Sequence, residues 1–160
     1  MNKNILIPTD FSIESLNLVK HAAEEAAPGR VNVLLAHGLR LSDSILDLLF
    51  FSRNREISKL TNRDFDTACK VLRNRYKAHI NSLQIDFFSG FTESAFRFFL
   101  DAHKVEEILI PKSYELKNIT PNSFDLLPFI KSSSYPVNEV QWQHVENVPE
   151  KGRLAEVFLL

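Results

Sequence analysis

Asp10 is the first side chain in this sequence that could do chemistry. It follows a short apolar run, Ile5-Leu6-Ile7, and then Pro8-Thr9, and it precedes Phe11-Ser12. A carboxylate at the end of a buried strand either accepts hydrogen bonds from a ligand or folds back on local backbone N–H groups as a turn aspartate. By position alone the turn is the plainer reading. The other reactive types offer less. His21, His37, His79, His103 and His144 show no metal-ligand spacing such as H-E-x-x-H and read as structural. Cys69 is the only cysteine, so it makes no intrachain disulfide. It falls within an apolar helical stripe and reads as an inert buried thiol in a reducing compartment. There is no G-x-S-x-G elbow and no carboxylate pair tied to a pocket motif. The expectation is binding, with no metal and no catalytic residue.

Phosphate chemistry is limited by glycine. Only four occur in 160 residues, Gly29, Gly38, Gly90 and Gly152. None fits G-x-G-x-x-G or the Walker loop, whose glycines let backbone N–H groups approach phosphate oxygens. Charge is balanced at a formal net of −1, so nothing in bulk draws the chain to nucleic acid or a membrane surface. The apolar runs are far shorter than the ~20 residues that span a bilayer, and no signal-peptide pattern opens the sequence. A cytoplasmic protein is expected.

The elements that must hold Asp10 read as alternating strands and helices. Ile5-Leu6-Ile7 has the unbroken apolar pattern of a parallel strand covered on both faces. Ser12 is a candidate N-cap, and Leu16, Val19, Ala22, Ala23 and Ala26 recur at helical spacing until Pro28-Gly29. Residues 31–36 form a second apolar run. A short helix is expected over 42–51, then a long one from Arg63 with the stripe Phe65, Ala68, Cys69, Leu72, Tyr76 and Ile80, ending near Asn81-Ser82. A third strand is expected over 83–88. Thr92 then caps a helix with Ala95, Phe96, Phe99 and Ala102 inward. The remaining elements are a fourth strand over 107–110, a helix over 123–132 and a fifth strand over 137–142. The fold class is therefore α/β, a doubly wound five-stranded parallel sheet with helices on both faces, and ligands are expected at the C-terminal strand ends.

Asn4-Ile5-Leu6-Ile7-Pro8-Thr9-Asp10-Phe11-Ser12, with Ser15 and Lys20-His21-Ala22-Ala23, closely resembles the opening of universal stress proteins. Ala36-His37 resembles the end of that family's second strand, residues 105–111 its fourth strand, and residues 129–137 its last helix and strand. The likeness spans roughly residues 3–142. It implies a universal-stress-protein or adenine-nucleotide-alpha-hydrolase-like domain over 1–142, usually dimerised through the last strand, with 143–160 as an extension packed on the domain or a dimer partner. It also implies a crevice in which Pro8, Thr9, Asp10, Gly38 and Ser123 would surround an adenine nucleotide.

Nucleotide-binding members carry glycines after strand four. Here Pro111 and Tyr114 stand where the first two would be, and Asn122-Ser123 resembles the closing Gly-Ser. Proline removes a donor and cannot supply φ > 0, and tyrosine adds bulk. The main expectation is a dimeric stress-response interaction module without cofactor, its phosphate loop lost. The alternative is an ATP- or AMP-binding stress protein using Asp10, Gly38 and Lys112 in a non-standard loop. The plainer readings are a turn for Asp10, a left-handed turn for Gly38 and a helix N-cap for Ser123.

Two surface features accompany this. Between Arg53 and Lys77 eight basic residues stand against three acidic ones, with Arg63, Lys70 and Lys77 on one helix face. A solvated face is expected there. Phe98, one of Phe50 and Phe51, and Val157-Phe158-Leu159-Leu160 remain after the core is assigned and point to a protein partner or a homodimer.

Overall fold

The computed structural model describes residues 2–41 and 52–142. The helix expected over 42–51, the apolar residues Phe50 and Phe51, and the extension 143–160 lie outside the described residues. Five strands form one parallel sheet. They are β1 (Asn2–Pro8), β2 (Arg30–Leu39), β3 (Ile80–Phe88), β4 (Glu107–Pro111) and, last, β6 (Val137–Val140), in the order β3-β2-β1-β4-β6. A two-residue strand, β5 (Ser123–Phe124), adds antiparallel to the end of β2. The helices are α1 (Asn17–Ala26, entered by a 3-10 turn), α2 (Arg53–Leu60), α3 (Arg63–Arg75), α4 (Glu93–Ala102) and α5 (Leu127–Ser132).

Right-handed crossovers decide which face each helix covers. The chain moves outward from β1 to β2 to β3, which puts α1, α2 and α3 on one face. It then crosses to β4 and β6, which puts α4 and α5 on the other. The two core clusters follow this division. On the first face Ile5, Ile7, Val33 and Leu35 pack against Leu18, Val19, Phe65 and Leu72. On the second, Leu6, Leu34, Phe88 and Ile108 pack against Phe96, Leu100 and Ile130. Phe87 and Phe88 therefore serve opposite faces, as the strand period requires. Phe65 and Phe96 are fully buried, which stabilises by ~2–3 kcal/mol each. Among the described residues Phe91 and Phe98 are left exposed, at 70% and 76%.

Several boundaries differ from the expectation. The long helix stops at Arg75, and Ile80 opens β3 instead of closing the helical stripe. A turn over residues 76–79 reverses the chain, with the His79 and Ile80 N–H groups donating to the Tyr76 carbonyl. Leu100, not Ala102, is the inward residue of α4, because burial follows the i, i+4 pair with Phe96. Thr92 caps α4 as expected, accepting from the Ala95 N–H. Ser12 does not cap α1 directly; its hydroxyl accepts from the Ser15 N–H at the 3-10 entry. No helix starts at Ser123: that residue is in β5, and α5 begins at Leu127. Arg63 and Lys70 are exposed on α3, as expected, whereas Lys77, expected on the same helix face, is exposed in the turn that follows.

Candidate functional site

The C-terminal ends of β1, β2 and β4 meet the segment 112–124 at the edge where doubly wound sheets bind ligands, beside the point where strand order reverses between β1 and β4. Pro8, Thr9, Asp10, Gly38 and Ser123 are brought together there, all within or beside one small space. Thr9, Asp10 and Ser123 are buried at 3%, 3% and 9% exposure.

Asp10 is held on both oxygens. Oδ1 accepts from the Ser12 N–H at 3.1 Å and from the Ser12 hydroxyl. Oδ2 accepts from the Tyr114 hydroxyl at 2.8 Å and from the Lys117 backbone N–H at 3.2 Å. The first pair is the turn aspartate that position alone indicates. The second pair was not legible in sequence, because Tyr114 and Lys117 lie more than a hundred residues away. Burial pushes the Tyr114 hydroxyl well above its usual titration range, and Asp10 adds to the rise, while its contact with Ser12 opposes it. Tyr114 is therefore a neutral donor to a carboxylate across the physiological range, a charge-assisted bond.

His37 reads as structural in the sequence, and the structure gives it a structural role whose partners the sequence does not show: it ties the segment 120–124 to the end of β1. Nδ1 lies 2.8 Å from the Thr9 carbonyl oxygen and Nε2 lies 2.8 Å from Ser123 Oγ. A carbonyl only accepts, so Nδ1 carries the proton and Nε2 accepts the Ser123 hydroxyl proton. Ser123 Oγ in turn accepts from the Thr120 N–H at 3.2 Å, with the Thr120 hydroxyl 3.0 Å away. Burial holds the His37 pKa below its ordinary 6.5, against a smaller opposing pull from the Thr9 carbonyl and Asp10. The neutral tautomer is what this network needs.

Gly38 lies inside β2, and its role is close approach, not the left-handed turn expected. A Cβ there would sit 2.4 Å from the Phe124 carbonyl oxygen and 2.9 Å from the Phe124 ring. Glycine lets β5 lie against β2, with Gly38 paired to Phe124 and Leu39 to Ser123. Phe11, between Asp10 and Ser12, has φ 59°, a conformation that costs a bulky residue ~1–2 kcal/mol. Its ring offsets this by packing 5.0 Å from His37 and 5.5 Å from Phe65, and its N–H donates to Thr9 Oγ1.

Between the ends of β1 and β2 and the loop the open space is small, while a further space of about 300 Å³ lies beside the same loop, lined by Ser113, Tyr114, Glu115, Lys117, Val140 and Trp142. The space between Pro8, Thr9, His37, Gly38, Lys117 and Phe124 is about 20 Å³. That admits about one water, whereas ligand pockets run to ~300–1,000 Å³. The loop's own Leu116, Lys117 and Phe124 line it. Lys112 is exposed, and Pro111 ends β4 buried. Among the described residues no cluster of three or more His, Cys, Asp or Glu groups could hold a metal ion, and no helix is long and apolar enough to cross a membrane.

No protein-family model matches the chain, and no curated protein matches it. Solved structures do. A protein from the universal stress protein family of Burkholderia pseudomallei superposes with a TM-score of 0.53 at 11% identity, covering 86% of this chain and 95% of that one. The universal stress protein from Archaeoglobus fulgidus superposes at 0.50 with 18% identity, covering 86% and 92%. The chain has the doubly wound fold of universal stress proteins.

Proposed function

We propose that this chain is a universal-stress-protein-like regulatory interaction module, non-catalytic and homodimeric, in which a segment of the protein occupies the place of an adenine nucleotide. One observation carries the reading. The segment 112–124 fills the crevice and satisfies its polar groups from within: Tyr114 and Lys117 take Asp10, and Ser123 takes His37. A loop that binds phosphate presents unpaired backbone N–H groups to the ligand; this one spends the Lys117 N–H on Asp10. Pro8, Thr9, Asp10, Gly38 and Ser123 are on this view a former nucleotide crevice, now a structural seam. The site proposed for dimerisation is the free edge of β6, which pairs only with β4 among the described strands.

The second reading is an adenine-nucleotide-binding stress protein whose loop opens to admit ATP or AMP. The fold favours it, since the crevice sits at the strand-order reversal where such sheets bind nucleotides. Of the two, the fold likeness to universal stress proteins supports this reading better, and the loop contacts are what support the first.

Calorimetric titration with ATP, AMP and adenosine separates the two. The first reading expects no saturable binding up to millimolar ligand. Saturable binding at or below millimolar ligand that is lost in Asp10→Ala would establish the second. Light scattering tests the dimer, and a monomer at micromolar concentration would remove that part of the proposal.

A further inference from the structure

Positive charge is concentrated outside the crevice, on the outer surface of α2 and α3. Between Arg53 and Lys77 eight basic residues stand against three acidic ones, in a chain whose formal net charge is −1. Only Thr61 and Asn62 separate the two helices, so their outer faces adjoin. α3 turns Phe65, Ala68 and Leu72 into the core. Arg63, Thr67, Lys70 and Asn74 therefore share the opposite side, and all four are exposed. Arg73 flanks this stripe, and Lys77 follows it in the turn beyond the helix; both are exposed.

Local structure does not account for these cations. A positive charge is unfavourable in the first turn of a helix, yet Arg53 and Arg55 stand in the first turn of α2 and Arg63 opens α3. The nearby carboxylates are engaged. Glu56 pairs with Lys59, Asp86 with His103 and Arg53, and Glu24 with Lys20 and the Tyr76 hydroxyl. Asp64 and Asp66 lie in the first turn of α3, where the dipole favours them. Arg55, Arg63, Lys70, Arg73 and Lys77 make no ion pair among the described residues.

We propose that the outer face of α2 and α3 docks the phosphate backbone of a double-stranded nucleic acid. Three other anionic partners are disfavoured by what the face lacks. A membrane surface is held by apolar insertion as well as charge, and a protein partner by an aromatic or aliphatic anchor. Among the described residues the large exposed hydrophobics are Phe91, Phe98 and Ile119, none of them on α2 or α3. A single strand needs an aromatic platform, and Tyr76 is half-buried with Arg75 over its ring. Duplex backbone needs neither. It is contacted by Arg and Lys interleaved with Ser, Thr and Asn, which is the composition of Arg63, Thr67, Lys70 and Asn74. The 13 residues of α3 extend ~20 Å, the length of several successive phosphates. Contacts of this kind carry no base sequence. The inference is independent of the crevice and of the dimer.

Fluorescence anisotropy of the full chain with a labelled DNA duplex of about 20 base pairs tests it. Phosphate contacts from Arg63, Lys70, Arg73 and Lys77 give a salt slope of about −3.6, an affinity loss of about 150-fold between about 50 and 200 mM salt. Arg63→Gln with Lys70→Gln should weaken binding at least about tenfold at the lower salt and reduce the slope by about two. Arg97→Gln with Lys131→Gln removes the same charge from α4 and α5 on the other sheet face, and should leave the slope unchanged. All four side chains are exposed, so each double variant should melt with the parent. No saturable binding at the lower salt, or equal losses in the two double variants, would overturn the proposal. Equal affinity for a single strand of the same length, or tighter binding to phosphatidylserine vesicles than to the duplex, would overturn it as well.

Discussion

Replacing Gly38 by alanine places one methyl group against a backbone atom that cannot rotate away. The new Cβ would lie 2.4 Å from the Phe124 carbonyl oxygen and within 3.0 Å of two atoms of the Phe124 ring. The ring can swing aside, but the carbonyl moves only if β5 moves. Overpacking of this kind costs ~1–3 kcal/mol, and the upper end applies because backbone must shift. Displacing β5 also carries Ser123 away from His37 Nε2, a 2.8 Å bond. The buried nitrogen is then left without a partner, at a further ~1–3 kcal/mol. Part of that strain is relieved together, so the expected total is about 3 kcal/mol. For a domain of this size that lowers the melting temperature by about 6–12 °C. Calorimetry gives the shift, and hydrogen exchange locates it: the Arg40 N–H, which donates to the Asn122 carbonyl, should lose protection before the β1–β2 ladder does. A fall of less than about 2 °C with Arg40 still protected would refute the close-packing account of Gly38.

Other outcomes follow from the titrating groups. His37 has a folded-state pKa below 6.5, so the unfolded chain binds the proton more readily; the stability it contributes is present above about pH 6.5 and is lost as pH falls from there through the folded value. Urea unfolding at pH 7.5 and 5.5 should show that loss, and His37→Gln should flatten it; an equal slope in both proteins would contradict the buried neutral tautomer. Cys69 is pushed up to about 12, mainly by burial and secondarily by Asp66, with Arg73 opposing. Alkylation at pH 8 should therefore run at least about a hundredfold slower in the native protein than in urea, and comparable rates would contradict it.

The sheet was legible because buried parallel strands announce themselves. Ile5-Leu6-Ile7, residues 31–36 and residues 107–110 are unbroken apolar runs, and both neighbours and both faces of β1 demand that. The end of α3 was not legible, because Tyr76 and Ile80 continue the helical period while serving a turn and a strand. Periodicity records which side chains are buried, not which element buries them. β5 escaped because two residues, Ser123 and Phe124, carry no period at all; their pairing exists only through Gly38, a long-range partner. The same blindness hid the partners of His37. The one available signal was a glycine directly after it in an apolar strand, which marks a close backbone approach and so a second segment lying over the strand end. Tyr114 was legible as an obstruction in a loop that needs glycine, but its hydroxyl's bond to Asp10 belongs to tertiary structure alone.

The two readings of the crevice differ in one quantity, the free energy of opening the loop. Admitting a nucleotide means breaking the Tyr114 and Lys117 bonds to Asp10 and the Ser123 bond to His37. Bonds to a charged acceptor contribute ~1.5–3 kcal/mol and a neutral one ~0.5–1.5, so opening costs on the order of 3–7 kcal/mol. Each 1.4 kcal/mol is tenfold in affinity, and a closed resting state weakens apparent binding by the fraction that is open. A crevice with micromolar intrinsic affinity would then bind at about 0.1 mM or weaker. Tyr114→Phe removes one of these bonds without removing any ligand-facing group of the strands. If the loop is a lid over a working nucleotide site, that substitution should tighten AMP binding by about tenfold while lowering stability by ~1–2 kcal/mol, discounted because Tyr114 is half-buried. If the loop has replaced the nucleotide, stability falls by the same amount and no binding appears. Titration of both proteins with AMP reads the difference, and a variant as stable as the parent would refute the bond to Asp10 on which both readings depend.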